Sequence, residues 1–326
     1  MRPMTQTPGR FRAALLIGWL LLSAAGIGYA RLKDIPVWAA LPVLAAFLVE
    51  YPFYLLAGFP ELRARLSGAR LPFFLVVSAA LPYLTCYLAI GHFQWSSVLR
   101  LAALALVLGL WYVILPQSTL TDVAFLILIA AVLIGKYFDA IYLMPAPGLN
   151  ISILGQLALI HMTALVLLVE RHVHETGFGF VPNRREWRIG LLHYLGCLPV
   201  AALVAFPLKA VHLSAPAPLW KTAGTFLAFL LVVGLFEEFL VRGVLQQWME
   251  EWTWSRSAAL WLTSGVFGLA HLWFTGGGRH FPNWRWALLA GVLGWFCGHA
   301  RNQAGSIRAG VVTHALVVTT WRAFFV

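Results

Sequence analysis

The stretch Thr222–Trp248, TAGTFLAFLLVVGLFEEFLVRGVLQQW, is apolar for most of its length and yet sets Glu237, Glu238 and Arg242 in its middle. Roughly 20 apolar residues are what a helix needs to cross a hydrocarbon core of about 30 Å. Read as such a span, the stretch carries three charges at a depth where each carboxylate costs several kcal/mol unless it is paired, neutralised or functional. Glu238 and Arg242 stand four apart with the acid first, the favoured ion-pair spacing on a helix. Glu237 is rotated by about 100° from Glu238 and faces a different side without the same partner.

The surrounding sequence makes a membrane reading general. Of 326 residues, 61% are hydrophobic and only 11% charged, with a mean hydropathy of +0.81. A soluble domain of this size could not hide so much apolar surface. Apolar runs between polar or Pro/Gly-rich breaks predict an all-α polytopic bundle of about eleven transmembrane helices, near 13–30, 37–59, 71–91, 97–115, 122–143, 151–169, 187–207, 220–249, 257–274, 284–299 and 306–325. The first run follows Arg10 and Arg12 but leads into Arg31 and Lys33 rather than a small-residue cleavage site, so it reads as a retained span. No internal repeat is visible, which gives no support to an inverted-repeat transporter plan.

The net charge of +11 resides in short breaks such as ELRARLSGAR and VPNRREWR. Loop topology and anionic lipid account for it, and nucleic acid is not an expected partner. The longest polar break, 170–188, divides the chain into a six-helix region, 1–170, and a region 171–326 that holds the charged constellation. Basic residues place the N-terminus and this break on the cytoplasmic side, and an odd helix count would put the C-terminus outside. The expected localisation is an integral, multi-pass membrane protein, in the plasma (inner) membrane for a bacterial source. Cys86, Cys197 and Cys297 lie in apolar runs without metal-knuckle spacing, so no disulfide framework is expected.

Two histidines join the glutamates. Counted at about 1.5 Å per residue from the hairpin breaks, Glu237, His271 and His314 lie about 18, 21 and 12 Å from the same side. Glu237 and His271 could therefore meet, and His314 would need some tilt. There is no HExxH, no GxSxG and no intramembrane aspartate pair. Glutamate and histidine without a protein nucleophile suit activation of water, the carboxylate taking the proton and imidazole orienting the water or stabilising the oxyanion. One glutamate and two histidines are also a set that zinc uses, but a metal-free site without cofactor is the preferred expectation, since paired helix-borne zinc ligands are absent. Elsewhere Glu50 reads as junctional rather than as a buried functional acid, His161 as an interhelical hydrogen-bonder, and Lys136 with Asp139 as an ion pair near a helix end.

At these residues the sequence resembles the CAAX prenyl protease and bacteriocin-processing (CPBP) family of intramembrane proteases. The EExxxR motif reads as Glu237, Glu238 and Arg242, the FxxxH motif as Phe267 and His271, and the C-terminal histidine motif as His314. The resemblance implies an intramembrane endopeptidase acting on a membrane-anchored or hydrophobic peptide, with the lipid bilayer as its setting. It implies Glu237 as general base, His271 helping to bind the water, His314 near the oxyanion, and Glu238, Arg242 and Phe267 in support. It covers about 170 onward; the first six helices would form a substrate platform. Val318 stands where the family has Asn or Asp, which removes an oxyanion donor unless Thr319, Thr320 or Asn302 substitutes. The alternative is a non-enzymatic membrane protein, such as an immunity factor, scaffold or transporter, that keeps the fold.

Overall fold

The computed structural model describes residues 7–174, 176–274 and 280–325. It is all-helical, with an isolated β-bridge between Leu213 and Phe325 and no strand among the described residues. Seven helical segments are long and apolar enough to cross a membrane: Gly9–Leu32, Val37–Ala57, Arg70–Ile90, Trp95–Ile114, Ile153–Glu170, Arg184–Ala205 and Leu219–Thr253. The chain falls into two compact units, Met1–Val173 and His174–Val326.

The first unit comprises α1 (Thr7–Leu32), α2 (Val37–Ala57), a short α3 (Pro60–Arg63), α4 (Arg70–Ile90), α5 (Trp95–Ile114), α6 (Thr119–Ile134) and α7 (Ile153–Leu165). Proline sits inside α2 and α4. Pro52 has no N–H for the Leu48 carbonyl, and the Trp19 indole N–H donates to that oxygen instead at 2.8 Å. α6 starts on a Ser118 capping box and stops at Ile134, nine residues before the end expected from hydropathy. Gly135 closes it and Lys136 follows with φ 51°, a left-handed conformation that no helix continues through. The expected Lys136–Asp139 ion pair is not found among the described residues; Tyr137–Ala140 form a 3-10 turn instead. Glu50 is no junction residue. It is buried inside α2 and hydrogen-bonded to His161 of α7, a partner that a carboxylate in such a position needs.

The second unit comprises α8 (Arg184–Ala205), α9 (Leu219–Leu231), α10 (Val233–Glu238), α11 (Gln246–Thr253), α12 (Arg256–Ala270), α13 (Trp284–Ala304) and α14 (Ile307–Phe324). α8 opens on an Asn183–Glu186 capping box, and Glu186 also pairs with Arg308 of α14 at 2.8 Å, so one acid fixes a helix start and a helix contact. The single helix expected over 220–249 is interrupted twice. Val232, at φ −129° and ψ −79°, separates α9 from α10, where two β-branched residues and Gly234 weaken helix propensity. After Glu238 the backbone widens into a π-helix, Phe239–Leu245, a feature often found at functional sites.

Polar groups inside the first unit are strongly coupled to its stability. Arg171 reaches Asp122 through two 2.8 Å hydrogen bonds, and the Tyr112 hydroxyl donates to the same carboxylate at 2.9 Å. Asp122→Ala removes all three, so unfolding in detergent should move by about 3 kcal/mol toward lower stability. An unchanged thermal midpoint would show that this network contributes nothing.

Candidate active site

The break at Val232 and the π-helix bracket one short helix, α10, and the two glutamates occupy its last turn. Their environments are opposite. The Glu237 side chain is 33% exposed and lines a cavity of about 450 Å³, whereas the Glu238 side chain is 0% exposed. Glu238 Oε1 accepts from His314 Nδ1 at 2.8 Å, and its Oε2 lies 3.3 Å from Arg242 Nε. The helical ion pair expected from the spacing is therefore present, and His314 extends it across to α14.

His314 has an acid on both sides. Since Nδ1 donates to Glu238, Nε2 is directed toward the cavity, where Glu237 Oε2 stands 3.6 Å away. That separation is beyond a direct hydrogen bond. The two glutamates therefore face the two nitrogens of one imidazole. Glu237 was expected to lack the easy partner that Glu238 has, and His314 to require tilt. In the structure α14 runs against α10 and both acids reach the same ring. The depth estimate assumed one straight helix, and the interruptions at Val232 and Phe239 remove that premise.

His271 arrives at the end of α12, where the helix tightens into a 3-10 turn, His271–Trp273. Its Nδ1 lies 2.7 Å from the Phe267 carbonyl. A carbonyl only accepts, so the proton resides on Nδ1 and Nε2 of the neutral ring offers a lone pair. His271 lines the same cavity as Glu237 and His314. Phe267 packs among all of them: its ring centroid is 4.6 Å from that of His271 and 5.9 Å from that of His314, and the Arg242 guanidinium carbon lies 4.4 Å from it. Arg242 is thereby held between a carboxylate and an aromatic face, a cation–π arrangement in a fully buried position.

Groups that the sequence reading did not single out complete the site. At Gly294 an added Cβ would lie 2.7 Å from Arg242 Nη2, and at Gly310 one would lie 3.0 Å from Glu238 Oε2. These two glycines make room for the buried ion pair, and the sequence carried no signal that pairs them with Arg242 and Glu238. Cys297, in FCGH, brings its thiol into a buried group with Glu238 and His314 whose potential ligand atoms all lie within 4.8 Å of one another. That set is able to hold a metal by composition. Arg242 already stands at 3.3 Å from Oε2, where a second cation would be repelled. The remaining cavity wall is mostly apolar, including Phe229, Trp286, Leu293 and Val318, with Arg322 on the rim and its guanidinium carbon 5.2 Å from the Phe229 ring centroid.

Val318 does face the cavity, and none of the three proposed substitutes does. Thr320 bonds the Tyr194 hydroxyl at 2.9 Å, Asn302 accepts from Gln246 and Arg301, and Thr319 lines a separate small pocket with Lys221.

Arg242→Ala would leave the Glu238 carboxylate buried without its cation. The expected cost is about 3–5 kcal/mol of stability, read as a lowered unfolding midpoint in detergent. Arg242→Lys keeps the charge and should recover part of it; equal stability of all three proteins would refute the structural role.

No curated protein and no solved structure is significantly similar to the chain. Residues 219–320, from the start of α9 to near the end of α14, match the family model described as Type II CAAX prenyl endopeptidase Rce1-like. That match contains every residue of the three motifs, so over 219–320 the chain is similar to the Rce1-like type II CAAX prenyl endopeptidases.

Proposed function

We propose that the second unit is an intramembrane endopeptidase that hydrolyses a peptide bond of a membrane-anchored or hydrophobic peptide, with Glu237 as general base on water. The observation that carries this reading is the convergence of Glu237, His271 and His314 on one largely apolar cavity, with only Glu237 of the two acids open to it. An apolar wall suits a hydrophobic or lipid-modified peptide, and a half-open carboxylate is positioned to take a proton from water.

In this reading Glu237 accepts the proton of a water that His271 Nε2 helps to hold. The resulting hydroxide attacks the scissile carbonyl, and the oxyanion is met by His314. A proton on His314 Nε2 is supported by the Glu238 carboxylate on Nδ1, the same logic by which a buried acid steadies the histidine of a serine protease. Glu238 and Arg242 do not touch the substrate; they fix His314. The leaving amine recovers the proton from Glu237. Arg242 supplies the fixed positive charge next to Glu238, which favours a mechanism without metal.

Proteomic N- and C-termini, compared between cells carrying wild type and Glu237→Ala at matched expression, test this. Termini present only with the wild type, and a cleavage rate on the identified substrate reduced by about 10²–10⁴-fold in the variant, are the expected result. Chelators should leave wild-type cleavage unchanged; loss on chelation with recovery on adding zinc would sink the metal-free mechanism. Identical termini would favour the second reading, a non-enzymatic membrane protein, for which Val318 in the cavity wall is the specific observation.

Val318 gives a second test. A preorganised amide donor in such a position is worth about 10²–10³ in rate. Val318→Asn is therefore expected to accelerate cleavage, by about tenfold or more, with His314 unchanged. A variant that folds and cleaves no faster would show that the position is not used for the oxyanion.

A further inference from the structure

The first unit contains a second polar constellation, fully buried and unrelated to the cavity described above. Glu50 of α2, His161 of α7 and Ser78 of α4 come from three different helices and are all 0% exposed. Glu50 Oε1 is 2.8 Å from His161 Nδ1, and His161 Nε2 is 2.8 Å from Ser78 Oγ. An acid orients the imidazole through one nitrogen, and a hydroxyl that also reaches the Leu75 carbonyl at 3.0 Å meets the other. That is the relation that activates a serine nucleophile, recognised by geometry rather than by sequence position.

Local irregularity gathers around the same three residues. Pro52 lies inside α2 two residues after Glu50, Pro82 inside α4 four residues after Ser78, and α7 passes into a π-helix, Val166–Glu170, five residues after His161. Pro82 has no N–H to give the Ser78 carbonyl, so the helix lacks its usual hydrogen bond at Ser78. Tyr142, 2% exposed, has a hydroxyl with no hydrogen-bond partner among the described residues and lies within electrostatic reach of Glu50. A donor left idle in a buried site has a partner missing.

A second cavity, of about 320 Å³, is lined by Trp19, Leu48, Val49, Pro52, Phe53 and Leu81, and Phe53 stands between it and the constellation. Phe53 belongs to both, since its ring also stacks on His161 with centroids 6.4 Å apart. Trp19 and Leu81 are 37% and 41% exposed, on helices of membrane-crossing length. Apolar side chains exposed there face hydrocarbon, so the occupant that suits this cavity is a lipid acyl chain.

We propose that Glu50, His161 and Ser78 form an acyl-transfer centre that hydrolyses a lipid acyl ester, with the acyl chain in the cavity bounded by Phe53. Rotation of Phe53 admits the ester. Ser78 Oγ attacks the ester carbonyl as its proton passes to His161 Nε2, and Glu50 steadies the imidazolium. The Tyr142 hydroxyl is the donor available to the oxyanion. Collapse breaks the bond to the alcohol oxygen, which leaves with the proton from His161. Water, giving its proton to His161, then cleaves the acyl-serine to a free fatty acid and restores Ser78. The balance needs only ester and water.

The test uses the full-length protein in phospholipid vesicles and a long-chain alkyl fluorophosphonate, which phosphorylates activated serines. The expected result is an adduct located at Ser78 by peptide mass spectrometry, absent in Ser78→Ala and formed at least 100-fold more slowly in His161→Gln. Phe53→Ala should speed labelling, and a fluorophosphonate with a short alkyl chain should label the wild type more slowly than the long-chain probe. Direct location of the adduct in the wild type needs no variant to fold. Wild-type protein that carries no adduct at Ser78, or labelling that His161→Gln leaves unchanged, overturns the proposal.

Discussion

In the second unit the arrangement depends on a buried charge that has to be matched. Glu238 is fully enclosed, and an isolated carboxylate at that depth is not tolerated. Its two oxygens are divided between Arg242 and His314, so satisfying one acid fixes a guanidinium on the same helical segment and an imidazole on α14. Phe267 closes the gap between Arg242 and His271, and thereby ties α12 to the same centre. The adjacent acid is left free. Glu237 owes its position to the network without being consumed by it, which is how a reactive carboxylate can be rigidly held and still open to a cavity.

Such close approach is possible only where side chains are missing. Gly294 and Gly310 lie opposite Arg242 and Glu238 at distances that leave no space for a Cβ. Small residues are commonly used in this way where membrane helices approach closely. The π-helix after Glu238 contributes by widening the backbone in the segment that carries Arg242. The chemical site and the helix packing are therefore one construction, and a change in either is felt in the other.

The two units solve the problem of an acid within a helical bundle in the same manner and leave different groups available. Glu50 meets His161 as Glu238 meets His314, each at 2.8 Å through Nδ1. Beyond the imidazole the first unit presents a serine hydroxyl and the second a carboxylate. The two proposed roles, a nucleophile of the protein's own and a base for water, would then differ by one residue at the far side of the ring.

The helical class, the positions of most helices and the candidate residues around Glu237 were legible in the sequence, because hydrophobic run length and charge exclusion from hydrocarbon act locally. The resemblance to the CPBP family is what assigned EExxxR, FxxxH and His314 to motifs. The sequence did not reveal which acid would be buried, for adjacent glutamates differ only by rotation, and that rotation depends on a break at Val232 and a π-helix set by packing. Nor did it reveal that Glu50, Ser78 and His161, as much as 111 residues apart, form one chain of hydrogen bonds. Those relations belong to tertiary structure, because a contact between helices is fixed by how three surfaces meet, and no single helix carries that information.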